Sequence, residues 1–96
     1  MSANMHVLIP FDVTEIQKIG NFIGVYCYNE IADCKLCFTI GFTEKKYAEE
    51  FYKKLMDNYN KKENIDIELN LKNFCAIKNL KIGIDEDVHY NLTWRG

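Results

Sequence analysis

The four cysteines are the residues of this chain with the most scope for metal or redox chemistry. Two of them form a Cys34-x-x-Cys37 pair, a spacing that supplies half of a structural zinc site when it lies on a tight turn. The remaining candidate ligands form no second spaced pair; they are Cys27, Cys75, His6 and His89. Cys34 and Cys37 also begin a strand-like run, where residues three apart point to opposite faces. We therefore predict reduced, mostly buried cysteines, and we expect neither a metal site nor any other cofactor.

Catalytic chemistry has little support elsewhere in the sequence. Neither His6 nor His89 has a recognisable partner, and Ser2 is the only serine. Asp85-Glu86-Asp87 carries oxygen ligands that suit a hard cation, but consecutive positions of an extended chain diverge, so we interpret this run as a solvated turn. The five glycines are scattered and form no phosphate-binding loop. The sequence favours a non-enzymatic protein, and we assign no catalytic residue.

Length and composition indicate a small globular protein. The chain has 96 residues, of which 48% are hydrophobic and 27% are charged, so we predict a single domain over 1–96. The net charge of −2 gives no long-range attraction to nucleic acid or to an anionic membrane. The sequence has no apolar run near the ~20 residues of a membrane helix, and its start lacks the pattern of a signal peptide. We expect a cytoplasmic protein that binds neither nucleic acid nor membrane.

The strongest structural signal is an amphipathic helix over residues 43–62, with Thr43 as its expected N-cap. Its apolar positions recur at helical spacing: Tyr47, Ala48, Phe51, Tyr52, Leu55, Met56 and Tyr59. Charged residues fill the intervening positions. One long helix with strand-like segments on both sides predicts an α+β protein whose helix lies on a sheet.

The segments before that helix predict further elements. The apolar run Met5–Ile9 is typical of a short strand, stopped by Pro10. Val13–Ile19 has apolar residues every three positions and predicts a short helix. Phe22–Tyr28 and Cys34–Phe42 are rich in aromatic and β-branched residues, and we expect them to form a hairpin.

The C-terminal third alternates apolar and polar residues. Ile65–Leu71 predicts a strand with one solvated face. Residues 80–84 and 88–94 predict a closing hairpin around the acidic turn. The predicted order β-α-β-β-α-β matches a ferredoxin-like arrangement followed by a C-terminal hairpin. If Val13–Ile19 is not a helix, the prediction becomes a curved sheet wrapped on one helix.

Aromatic residues indicate where the protein could bind a partner. Six Tyr, six Phe and one Trp exceed what one small core needs. Alternation places Ile23, Val25 and Cys27 under the helix and puts the other strand positions on the opposite face. The candidate protein-binding residues are Phe22, Tyr26, Tyr28, Trp94 and Arg95. Surplus Tyr, Trp and Arg are typical of contact surfaces, although the C-terminal hairpin or a loop could instead cover these rings.

Two functional classes follow from these observations. The first is a protein-binding module acting through its sheet, such as an inhibitor, an immunity protein, a phage-type antagonist of a larger protein, or a homodimer. The second is a small-ligand-binding or enzymatic α+β domain, with a site between helix and sheet or at a dimer interface. The first is preferred because the chain has surplus aromatics and no catalytic set.

Overall fold

The computed structural model describes residues 12–61 and 66–95 as a four-stranded antiparallel sheet with two helices. The chain therefore has an α+β architecture. The elements in chain order are β1 (Asp12–Ile19), β2 (Phe22–Asn29), β3 (Cys34–Phe42), α1 (Lys45–Asn60), α2 (Ile67–Lys78) and β4 (Val88–Arg95). The predicted strand Met5–Ile9 lies outside the described residues.

The strands stand in the sheet in the order β1-β2-β3-β4. The first three form a meander of two tight hairpins, and β4 returns after both helices to pair antiparallel with β3. The predicted hairpin of β2 and β3 is confirmed, with Val25 opposite Phe38 and Tyr26 opposite Cys37. Its connection is held by Asn29, whose Oδ1 accepts a hydrogen bond from the Ala32 N–H at 2.6 Å, as side chains of this type do in turns.

Both helices lie on the same face of the sheet. Ala48, Phe51 and Leu55 of α1 are fully buried, while the intervening Lys53 and Lys54 are exposed. The ring of Phe74 in α2 joins that of Phe51 at a centroid distance of 5.2 Å. Apolar burial of this kind is the main source of folding free energy.

Helix α1 falls within the predicted range 43–62 but begins later. Thr43 is not the N-cap: Glu44 holds that position, without a side-chain cap hydrogen bond. The Thr43 side chain instead donates a hydrogen bond to the carbonyl oxygen of Asp87 at 3.3 Å, as does its N–H at 3.0 Å. Thr43 thus ties the end of β3 to the loop before β4.

The helix predicted for Val13–Ile19 is wrong, because this segment is strand β1. Its pairing with β2 is irregular between Val13 and Glu15, so a β-bulge separates two inward-facing positions by three residues instead of two. Val13 and Ile16 therefore follow a helix-like spacing within a strand. Three-residue apolar spacing alone could not distinguish the two structures.

The strand predicted for Ile65–Leu71 is also wrong, since residues 67–71 begin helix α2. Its buried positions are Ile67, Leu71, Phe74 and Cys75, a helical spacing that becomes visible only when the pattern continues past residue 71. Leu69, which the alternation placed with the core, is 53% exposed.

The closing hairpin and the ferredoxin-like order are wrong as well. Residues 80–87 form an irregular loop that touches β4 only through an isolated parallel bridge between Ile82 and Val88, and β4 pairs with β3 instead. In the described chain three strands precede both helices, so no β-α-β unit starts the fold. Among the described helices, none is both long and apolar enough to cross a membrane.

Candidate functional site

The candidate site is the face of the sheet opposite the helices, which we call the open face. Directly opposed residues of antiparallel strands share a face, so the register defines its four cross-strand rows. The rows are Asp12, Tyr28, Lys35 and position 95; Glu15, Tyr26, Cys37 and Thr93; Gln17, Gly24, Thr39 and Asn91; and Ile19, Phe22, Gly41 and His89. The first two rows contain charged side chains and tyrosines, the third row is polar, and the fourth row is apolar and aromatic.

Tyr26 lies near the centre of the open face. It is half-buried, and its ring extends across Gly24, where a Cβ atom would lie 3.4 Å from Tyr26 Cε2. The ring therefore lies beside Gly24, and a Cβ there would make ordinary van der Waals contact with it. In the same row, Cys37 is only 8% exposed.

Tyr28 is held by the hairpin loop that follows β2. Its hydroxyl donates a hydrogen bond to Oδ1 of Asp33 at 2.9 Å. That hydrogen bond raises the pKa of Tyr28 above its ordinary value, because ionising the hydroxyl would remove the donor and place two negative charges together. The ring is thereby fixed at the charged end of the open face.

Phe22 forms the apolar end together with Ile19 and His89. The Phe22 and His89 rings meet edge to face with centroids 6.1 Å apart. Gly41 lies between them in the register, and a Cβ there would come within 2.8 Å of both rings, so only glycine lets them approach across the sheet. Even so, Phe22 is 50% exposed and Ile19 is 74% exposed.

Described residues of this face line two depressions. The larger has a volume of about 540 Å³ and lies at the tyrosyl end; its lining includes Glu15, Tyr26, Tyr28, Lys35 and Cys37. The smaller, about 140 Å³, lies between Tyr26 and Phe22. The larger depression thus combines apolar surface with one carboxylate, that of Glu15, and one ammonium group, that of Lys35.

The structure brings together three of the five residues predicted for binding. Phe22, Tyr26 and Tyr28 lie on the face away from the helices, in the predicted alternation. Backbone pairing places position 95 beside Lys35 in the same face's first row, but position 94 beside Leu36, in a row of helix-side residues. Positions 94 and 95 therefore belong to opposite faces of the sheet.

Ile19 and His89 are contributors that the sequence did not indicate. Ile19 was assigned to a helix, and the register of the real strand is what pairs it with Phe22. His89 falls within residues 88–94, for which the sequence predicts one strand of the closing hairpin. Its pairing with Gly41 required β4 to lie next to β3, which no local pattern shows.

Two of the four thiols, Cys27 and Cys75, are poorly suited to nucleophilic chemistry. All four cysteines are free, and burial raises the pKa of Cys27 to about 11, with a further contribution from Cys37. Burial also raises the pKa of Cys75. A thiol with a raised pKa is protonated at neutral pH and is a weak nucleophile and ligand. Within residues 12–61 and 66–95, no group of three His, Cys, Asp or Glu side chains could hold a metal ion.

Comparison with protein-family models, with curated proteins and with solved structures gives no match for this chain.

Proposed function

We propose that this chain is a small cytoplasmic protein-binding module that recognises another protein through its open face, as an inhibitor, an immunity protein or a phage-type antagonist does. The observation that carries the proposal is the exposed apolar end of that face. Both helices pack on the other side of the sheet and do not cover these residues. Ile19 therefore leaves most of its surface accessible to solvent, and Phe22 leaves half.

The chemistry of the face supports this function. Aromatic side chains bury large areas at little cost in side-chain entropy, and they dominate many protein interfaces. The hydroxyl of Tyr28 is held by Asp33, so binding would immobilise few additional torsions of this ring. Preorganisation of this kind improves affinity. The flanking Glu15 and Lys35 would fix the orientation of a partner that carries complementary charges.

The experiment compares two isoleucines that are equally exposed on opposite sides of the molecule. Ile19 lies on the open face and Ile77 on α2, and each is 74% exposed. A stoichiometric protein partner is first captured from a native lysate, and its affinity is then measured for Ile19→Ala, Tyr26→Ala and Ile77→Ala. The open-face variants should bind at least about tenfold more weakly, and Ile77→Ala should bind like the wild type.

Thermal unfolding of the same variants separates binding from folding. Stability should stay within about 1 kcal/mol of the wild type, as for most surface substitutions. If Tyr26→Ala instead loses several kcal/mol of stability while binding is unchanged, the ring belongs to the core and the open face is not the contact surface. Loss of binding in Ile77→Ala alone would move the contact surface to α2.

A small-ligand-binding domain is the second candidate, and the depression of about 540 Å³ favours it, since ligand pockets commonly measure ~300–1,000 Å³. The predicted location between helix and sheet is occupied by packed rings, with Phe42 and Phe51 centroids 5.9 Å apart. A ligand would therefore bind on the open face, beside Tyr28 and Lys35. Native mass spectrometry of the purified protein should then show a retained small molecule that Tyr28→Ala releases.

A further inference from the structure

The outer edge of β4 carries backbone groups that no described residue pairs with. Phe42 directs its N–H toward the β2 side, where Asn21 accepts it at 3.0 Å. Its neighbour Val88 directs its own groups away from β3: Val88 N–H donates to Lys81 at 3.0 Å, and Val88 C=O accepts from Gly83 at 2.8 Å. Because these directions alternate along a strand, Tyr90, Leu92 and residue 94 also present N–H and C=O groups outward. Over residues 12–61 and 66–95, no backbone group pairs with these three.

The opposite edge of the sheet, strand β1, is protected against pairing with another strand. The edge of β4 lacks this protection. Strand β1 contains a bulge between Val13 and Glu15, and the Tyr59 hydroxyl donates to the carbonyl oxygen of Thr14 at 2.9 Å. Its sequence also contains both acidic and basic residues. Bulges, charges and capping contacts are the devices by which proteins prevent edge-to-edge pairing. Between positions 88 and 94, β4 has no charged Asp, Glu, Lys or Arg.

We infer that β4 pairs with β4 of a second copy of this chain, in antiparallel orientation about a two-fold axis at Leu92. The outward N–H and C=O groups occur at alternate residues of β4. The two-fold axis must therefore bring outward-facing residues of one copy opposite outward-facing residues of the other. An axis at Leu92 pairs it with its own copy and pairs Tyr90 with residue 94 of the other copy. Three residue pairs then exchange hydrogen bonds, and the bonds that Val88 makes to the loop stay intact. Shifting the axis to Asn91 would bring residue 94 opposite Val88 and displace the loop. Shifting it to Thr93 would leave Tyr90 without a partner in β4 and give up one of the three pairs.

Charge and shape at the ends of β4 favour a second copy as the occupant. A groove of about 770 Å³ lies beside the start of the strand, and its lining includes Ile82, Ile84, Asp85, Glu86 and Tyr90. In the register about Leu92, position 95 of one copy comes opposite His89 of the other, at this groove. The sequence has an arginine at position 95, and Asp85 and Glu86 are exposed at this groove, so the charges brought to this end are complementary, and the two-fold axis repeats the arrangement at the other end.

Two exposed side chains allow the register to be tested without disturbing the core. About the axis at Leu92, Asn91 of one copy lies opposite Thr93 of the other in a close, non-hydrogen-bonded pair. Both side chains are exposed on the open face. Asn91→Lys/Thr93→Lys places like charges opposite one another twice in the dimer. Asn91→Lys/Thr93→Glu places opposite charges there and alters the same positions.

The molar mass of the wild type and of the two double variants is measured by light scattering over a wide range of protein concentrations. The wild type should be a dimer, the Lys/Lys variant should dissociate about tenfold more readily, and the Lys/Glu variant should dimerise at least as well as the wild type. A wild type that stays monomeric at every concentration overturns the inference. So does a dimer that both variants weaken equally, because that result would place the contact in another register or on another surface.

Other occupants of the edge give different results. If residues 1–11 occupy it, the full chain is monomeric and only a variant lacking them dimerises. If an extended segment of another protein occupies it, the purified chain is monomeric and binding of that protein depends on Asn91 and Thr93. Either result overturns the inference. Ile19→Ala should not affect dimerisation, so failure of the dimer and failure of open-face binding are distinguishable.

Discussion

A hydrogen bond between Tyr90 and Glu68 connects the edge strand β4 to helix α2. The Tyr90 hydroxyl donates to Glu68 Oε2 at 2.7 Å. This bond, assisted by burial and by the negative charge of Glu68, raises the pKa of Tyr90 from 10.0 to about 12. The hydroxyl is the donor only while it is protonated, so this hydrogen bond between β4 and α2 depends on pH.

The pKa shift predicts how stability changes in alkaline solution. Below the unfolded-state pKa of about 10, the hydroxyl is protonated in both states and its contribution is fully present. Between pH 10 and 12 the unfolded chain releases the proton while the folded chain keeps it, so stability falls as pH rises and the contribution is lost through pH 12. The free energy of unfolding, measured in urea across this window, should fall less steeply for Tyr90→Phe than for the wild type.

A second variant tests whether Glu68 is the cause. Glu68→Gln removes the charge but keeps a hydrogen-bond acceptor, so the Tyr90 pKa should move back toward its ordinary value and the fall in stability should become shallower. Parallel loss of stability in the wild type and Tyr90→Phe would show that this hydroxyl does not contribute to the pH dependence.

At the candidate site, the sequence predicted the face of each β2 residue but not its neighbours. Alternation within one strand is sufficient to separate Phe22, Tyr26 and Tyr28 from the buried positions. The row that joins Phe22 to His89 depends on three pairings across four strands. Such long-range pairings leave no periodic signal within a single segment, which is why Ile19 and His89 were missed.

At the level of elements, the prediction succeeded where one periodicity was sustained and failed where a segment was short or distorted. Strands β2 and β3 are long and rich in β-forming residues, and their hairpin was found. In β1 the bulge removes the alternation. In α2 the first residues alternate by coincidence, and its strongest helix signal is the cap Asp66 rather than its apolar pattern.

That cap provides a test of α2. Oδ1 of Asp66 accepts a hydrogen bond from the Leu69 N–H at 3.0 Å, which satisfies one of the free donors of the first turn. Asp66→Ala should destabilise the protein by about 1 kcal/mol, measured by urea unfolding. Asn73→Ala, an exposed substitution within the same helix, is the matched control and should change stability by less than about 0.5 kcal/mol. Equal effects of the two substitutions would mean that the cap does not stabilise α2.

At the level of the whole molecule, one core serves the sheet and both helices. Buried residues of β2, β3, α1, α2 and β4 form a single cluster. A defect in α1 should therefore weaken the entire fold rather than release one helix, because small domains with one core unfold cooperatively.

Leu55→Ala tests that cooperativity. Leu55 is fully buried, so its truncation should cost roughly 2–5 kcal/mol, with the same urea midpoint by circular dichroism and by tryptophan fluorescence. The neighbouring Lys54→Ala is exposed and should stay within about 0.5 kcal/mol. Separate midpoints for the two probes would show that α1 detaches independently of the sheet.

The position of β4 at the end of the described chain also affects the order of folding. The meander β1-β2-β3 can form from local contacts, but β3 obtains its last neighbour only after both helices have been synthesised. Closing so long a loop is slow and entropically costly. Until then, the edge of β3 beside the apolar residues Leu36, Phe38 and Ile40 stays unpaired, which is the kind of intermediate that aggregates. We therefore expect a nascent chain paused before residue 88 to be prone to aggregation.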